Sequence, residues 1–113
     1  MSKMINAFQF IEMKPFTAKR EEHLSDDDFR QLQSMLNAAP NRGDVLQGTG
    51  GVRKVRIASR GRNAGKSGGA RVVYYYAGKS GRIYLITIID KTQRENLTPS
   101  EVNDLKKLTQ CLI

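Results

Sequence analysis

Cysteine, histidine and acidic side chains are scarce in this 113-residue chain, and long apolar runs are missing. One cysteine, Cys111, can form no intramolecular disulfide and build no cysteine-ligated metal cluster, which suits a reducing compartment and makes the cytoplasm the expected location. The single histidine, His23, lies in a charged segment without companion ligands, so it is expected at the surface rather than as a base or metal ligand. The longest apolar run, residues 83–89, is interrupted by Thr87 and falls far short of the ~18 residues of a membrane span. The amino terminus has no apolar signal core, and no targeting segment is expected. The chain is read as one domain, residues 1–113. A domain of this size buries about two-thirds of the surface its unfolded form exposes, so catalysis belongs on an open face rather than in a deep cavity.

The shortage of acids is local. Nineteen Lys and Arg against eleven Asp and Glu leave a formal charge of +8. Residues 42–82 hold ten of the cations and a single acid, Asp44, whereas the rest of the chain is nearly balanced with nine cations and ten acids. Charge so concentrated points to a polyanionic partner, nucleic acid first.

Apolar periodicity places the elements. Residues 4–13 alternate as a strand, with Phe8 and Phe10 on one face, and Pro15 ends it. Residues 17–23 form a short charged helix. Ser25 and Asp28 make a capping box before a helix whose stripe is Phe29, Leu32, Met35, Leu36 and Ala39. Residues 48–51 are a glycine-rich turn into a strand over 52–58, where Lys54 and Arg56 share one face and Val55 and Ile57 the other. Residues 60–69 are a basic, glycine-rich loop. Residues 71–77 form the next strand, carrying Tyr74, Tyr75 and Tyr76, and residues 82–89 read as the central strand, beside the two before it. Thr98, Pro99 and Glu101 open a last helix with Val102, Leu105, Leu108 and Leu112 as its stripe. The expected architecture is α+β: a small antiparallel sheet in the order strand, two helices, three-stranded meander and carboxy-terminal helix. The helices are expected on one face and the ligand on the other.

Several motifs yield to simpler readings. The string from Gly61 to Ser67 approaches a phosphate-binding P-loop, but Arg60 stands where its first glycine belongs and no helix follows. The acids Asp26, Asp27 and Asp28 suit the positive end of a helix better than a metal, and Cys111 suits packing. What remains is a basic sheet face of Lys54, Arg56 and Arg71, with Lys91 and Arg94 nearby and tyrosines among them, a combination suited to single-stranded nucleic acid. Guanidinium groups on such a face can hold a phosphate for in-line attack by the RNA's own 2′-hydroxyl, without a metal. A lysine or tyrosine can move the protons only with a strongly lowered pKa, so such an enzyme depends on another body to position its substrate.

Four segments in order carry a family resemblance: Gly48-Thr49-Gly50-Gly51-Val52-Arg53-Lys54-Val55-Arg56; Gly68-Gly69-Ala70-Arg71-Val72-Val73-Tyr74-Tyr75; Ile83-Tyr84-Leu85-Ile86-Thr87; and Lys91 with Glu95-Asn96-Leu97-Thr98. Together they resemble the HigB branch of the RelE/ParE toxin superfamily. The resemblance implies a RelE-like fold and a toxin of a two-gene module that cuts messenger RNA in the ribosomal A site, with no metal or organic cofactor. It also implies a small, helical, DNA-binding antitoxin as partner, besides the ribosome and its mRNA. Carried onto this chain, it implies catalytic roles for Lys54, Arg56, Arg71 and Lys91. Arg56 and Arg71 would stabilise the phosphate, and Lys54 and Lys91 would assist charge neutralisation or proton transfer. RNA contacts would fall to Arg53, Arg60, Arg62, Lys66, Tyr75 and Arg94. After the last strand this chain reads Ile89-Asp90-Lys91-Thr92-Gln93, where the branch usually has Tyr-Ala-Lys-Asn-Glu. ParE-type relatives use the same scaffold to poison DNA gyrase, so scaffold and target are separate questions; a non-catalytic RNA-binding module is the remaining alternative.

Overall fold

The computed structural model describes residues 8–57, 69–90 and 97–112. Its elements run β1 (Gln9–Glu12), α1 (Lys14–His23), α2 (Asp26–Ala38), β2 (Asp44–Val45), β3 (Arg53–Ile57), β4 (Ala70–Ala77), β5 (Arg82–Asp90) and α3 (Pro99–Leu112). The strands form one sheet in the order β1-β5-β4-β3-β2.

Local chemistry sets the helix boundaries. Pro15 sits in the first turn of α1, where its missing N–H costs nothing, so the residue that ends β1 also opens the helix. The Ser25 hydroxyl accepts from the Asp28 amide while the Asp28 carboxylate accepts from the Ser25 amide, completing the capping box of α2. Thr98 and Glu101 make the same reciprocal pair ahead of α3.

β3, β4 and β5 form the expected antiparallel meander. Four features differ from expectation. β1 runs parallel to β5, so the sheet is mixed rather than antiparallel. Its α1–α2 excursion returns the chain across the sheet, and β5 is flanked by β1 and β4 instead of by β3 and β4. A two-residue strand, β2, adds the far edge. Finally, the helices do not share one face. Phe16, Leu32 and Leu36 of α1 and α2 pack with Val55, Val72, Tyr74, Ile83 and Leu85, whereas Leu105, Leu108 and Leu112 of α3 pack with Val52, Val73, Tyr84 and Ile86 on the opposite face. Both faces are therefore covered, and the sheet has two apolar cores. Among the described residues neither sheet face is left wholly free for a ligand.

His23 is buried at the end of α1 and Cys111 is exposed on α3, each the reverse of expectation. Residue spacing places a side chain on an element but does not say which neighbour covers it.

Candidate nucleic-acid site

Alternation along β3 puts Lys54 and Arg56 on the α3 side of the sheet, and register does the rest. Lys54 lies opposite Asp44 of β2, and Arg56 lies directly opposite Arg71 of β4. These four residues line one open depression of about 310 Å³ at the β2–β3–β4 end of that face. Lys54 and Arg71 are half-buried; Arg56 and Asp44 are exposed. The structure thus brings together three of the four residues expected to be catalytic. Lys91 lies outside the described residues, as do Arg60, Arg62, Lys66 and Arg94.

Two arginines directly across an antiparallel pair repel, which costs stability unless an anion lies between them. No carboxylate among the described residues pairs with either guanidinium at ion-pair distance. A phosphate is the ligand such a fork geometry matches best, because guanidinium N–H groups bind its oxygens two at a time.

Asp44 is the functional candidate that spacing did not reveal. A two-residue strand has no periodicity to read, and its acid counted only as the exception in a basic stretch. The register with Lys54 places its carboxylate on the rim of the cation cluster, where it can accept a proton.

The connection from α2 to β2, which carries Asp44, is held from beneath. The buried Tyr74 hydroxyl donates to the Pro40 carbonyl at 2.8 Å and accepts from the Gly43 amide at 2.9 Å. Burial pushes the Tyr74 pKa above the ordinary phenol value, opposed by the Gly43 hydrogen bond and the positive charge of Arg53. Arg53 itself faces away from the depression. Its Nη1 donates to the carbonyls of Asn41 at 3.1 Å and Gly43 at 2.7 Å, fastening the same connection. Gly43 has no room for a side chain, since a Cβ there would lie 2.8 Å from the Lys54 carbonyl oxygen and 2.9 Å from the Tyr74 ring.

Tyr75 is on the α3 side but remote from the cation cluster. Its ring stacks against Tyr84, with centroids 6.5 Å apart, inside the second core. Among the described residues, no group of three or more His, Cys, Asp and Glu side chains gathers in metal-binding geometry.

A family profile described as "RelE toxin of RelE / RelB toxin-antitoxin system" matches residues 10–113. The chain belongs to the RelE toxin family. In structure this RelE-family chain is similar to an E. coli RelE toxin carrying two arginine-to-alanine substitutions in the free state, with a TM-score of 0.57 and 16% identity over 91% of this chain and 97% of that one. It is similar to the intact E. coli RelBE toxin-antitoxin complex, with a TM-score of 0.53 and 14% identity over 80% of this chain and all of the matched one (100%). The isolated E. coli RelE toxin gives 0.52 and 14% over 90% and 99%. At these identities the likeness concerns the α+β fold, which the RelE structures share with the mixed five-stranded sheet described above.

Proposed function

We propose that this RelE-family toxin is a ribosome-dependent endoribonuclease that cleaves messenger RNA in the ribosomal A site, and that it belongs to the HigB branch its motif order resembles. The observation that carries the reading is the Arg56–Arg71 pair, side by side on a rim that also holds Lys54 and Asp44. The two guanidinium groups hold the scissile phosphate and neutralise the charge that builds on it. The 2′-oxygen forms the new bond to phosphorus as the bond to the 5′-oxygen breaks. Asp44 is suited to accept the 2′-hydroxyl proton, and Lys54 stands beside it to steady the carboxylate or to supply the proton the leaving oxygen takes up. Lys91 remains a candidate for the same proton transfer. Among the described residues the depression is open and lined by four side chains, and the alignment of an RNA strand for in-line attack is assigned to the ribosome. The remaining RNA contacts are proposed for Arg60, Arg62, Lys66 and Arg94. The partner that restrains the toxin is proposed to be a small helical antitoxin; the family description and the E. coli complex support an antitoxin as partner.

Primer extension on a defined messenger RNA, incubated with the protein with and without translating ribosomes, tests the reading. Cuts at A-site codons that require ribosomes, and vanish in Arg71→Ala, are expected. Growth arrest without cuts in either condition overturns the nuclease and moves the target to a gyrase-type partner.

A further inference from the structure

A second concavity lies at the other end of the α3 side. It has a volume of about 320 Å³ and sits between the β4–β5 hairpin and the last turn of α3. Tyr75, Ala77 and Leu112 give it an apolar wall, and Lys79 and Arg82 stand on its rim. Both cations are exposed, and neither forms an ion pair with a described residue. The last turn of α3 brings no basic residue of its own. From Arg71 to the hairpin edge at Ala77, β4 covers roughly 20 Å at about 3.3 Å per residue, so an occupant here leaves the catalytic depression open.

We infer that this hairpin cavity is an anchoring site for an acidic segment of the antitoxin, one that inserts a single leucine-sized side chain and sets flanking carboxylates against Lys79 and Arg82. The inference rests on the antitoxin partner proposed above. Two features favour a peptide over RNA. The wall is mainly apolar, and the Tyr75 ring that a base would need is already packed against Tyr84 and beside Gly51. The volume, about 320 Å³, has room for a leucine side chain together with its flanking backbone, and charge complementarity supplies the orientation. Anchored here, the antitoxin holds the toxin by a contact that does not compete with substrate phosphate, and inhibition requires a further reach toward Arg56 and Arg71.

The test is an amide chemical-shift titration of the full isotope-labelled chain with a capped Glu-Glu-Leu-Glu-Glu peptide. Two controls replace Leu by Ser or every Glu by Gln, and a third probe is a six-nucleotide uridine RNA. The expected result is a joint shift of the Ala77, Lys79, Arg82 and Leu112 amides, with each control peptide at least about tenfold weaker. K79E/R82E should abolish the shift and K79Q/R82Q should reduce it, while both variants still cut messenger RNA on ribosomes. Equal binding of the Ser control, shifts centred on Arg56 and Arg71, or a preference of these amides for the RNA would overturn the anchor. Since the titration contains no ribosome, its failure leaves the nuclease reading to the primer-extension result.

Discussion

The buried hydroxyl of Thr109, late in α3, lies 2.9 Å from the backbone carbonyl of Thr49 in the turn that leads into β3. The same hydroxyl lies 2.9 Å from the Lys106 carbonyl, so its one proton is shared between the helix and the turn. Thr49 in turn donates its own hydroxyl to the Leu46 carbonyl at 2.6 Å and accepts from the Val52 amide at 3.0 Å. Two threonines sixty residues apart thus tie the carboxy-terminal helix to the strand that carries Lys54 and Arg56.

Thr109→Val keeps the shape of the side chain but strands the Thr49 carbonyl in the core. Chemical denaturation should show a loss of about 1–3 kcal/mol, and Thr109→Ser should retain most of the stability. Gly50 presses its backbone onto Thr109 at φ +81°, so Gly50→Ala should cost more than about 1 kcal/mol through both strain and collision. Unchanged unfolding in Thr109→Val would show that the tie contributes nothing.

Removing either arginine of the facing pair should separate stability from activity. Arg56→Ala and Arg71→Ala relieve a like-charge contact, so unfolding free energy should stay within about 0.5 kcal/mol of the parent or rise. Cleavage on ribosomes should fall by about a hundredfold or more. A clear drop in stability with cleavage retained would make the pair structural.

Asp44→Asn should leave ribosome binding intact, because it removes a negative charge from a site that holds phosphate. Single-turnover cleavage should nonetheless slow by about a hundredfold if the carboxylate takes the 2′-hydroxyl proton. A rate equal to or above the parent's would return proton transfer to Lys54 or Lys91.

Tyr74→Phe should lower stability by about 1–3 kcal/mol, since the Pro40 carbonyl and Gly43 amide lose their buried partner. The variant also tests an alkaline effect. The folded pKa of Tyr74 is raised, so above about pH 10 the unfolded chain gives up its proton first, and the stability from this residue is lost as pH climbs through the folded value. The stability difference between parent and Tyr74→Phe, followed by denaturation at increasing pH, should therefore shrink above about pH 10. A constant difference would contradict the raised value.

Wherever the cause lies within a few residues along the chain, the elements were legible. The capping pairs Ser25–Asp28 and Thr98–Glu101, the stripes of α2 and α3 and the alternation of Lys54 with Val55 all came through, because caps and periodicity are local physics. Pairing is not local. No spacing rule announces that β1 lies parallel to β5, that α3 crosses to the face opposite α1 and α2, or that Arg56 meets Arg71 while Lys54 meets Asp44. Those facts follow from how two helices return a strand across a sheet and from which face each apolar stripe finds to bury. The fate of individual polar groups is equally a matter of neighbours. Arg53 looks like its partners Lys54 and Arg56 in the chain, yet the opposite pleat turns it toward the carbonyls of Asn41 and Gly43. The residues alone established a basic α+β domain with paired cations on β3, and packing in three dimensions chose which cations face the ligand and set Asp44 among them.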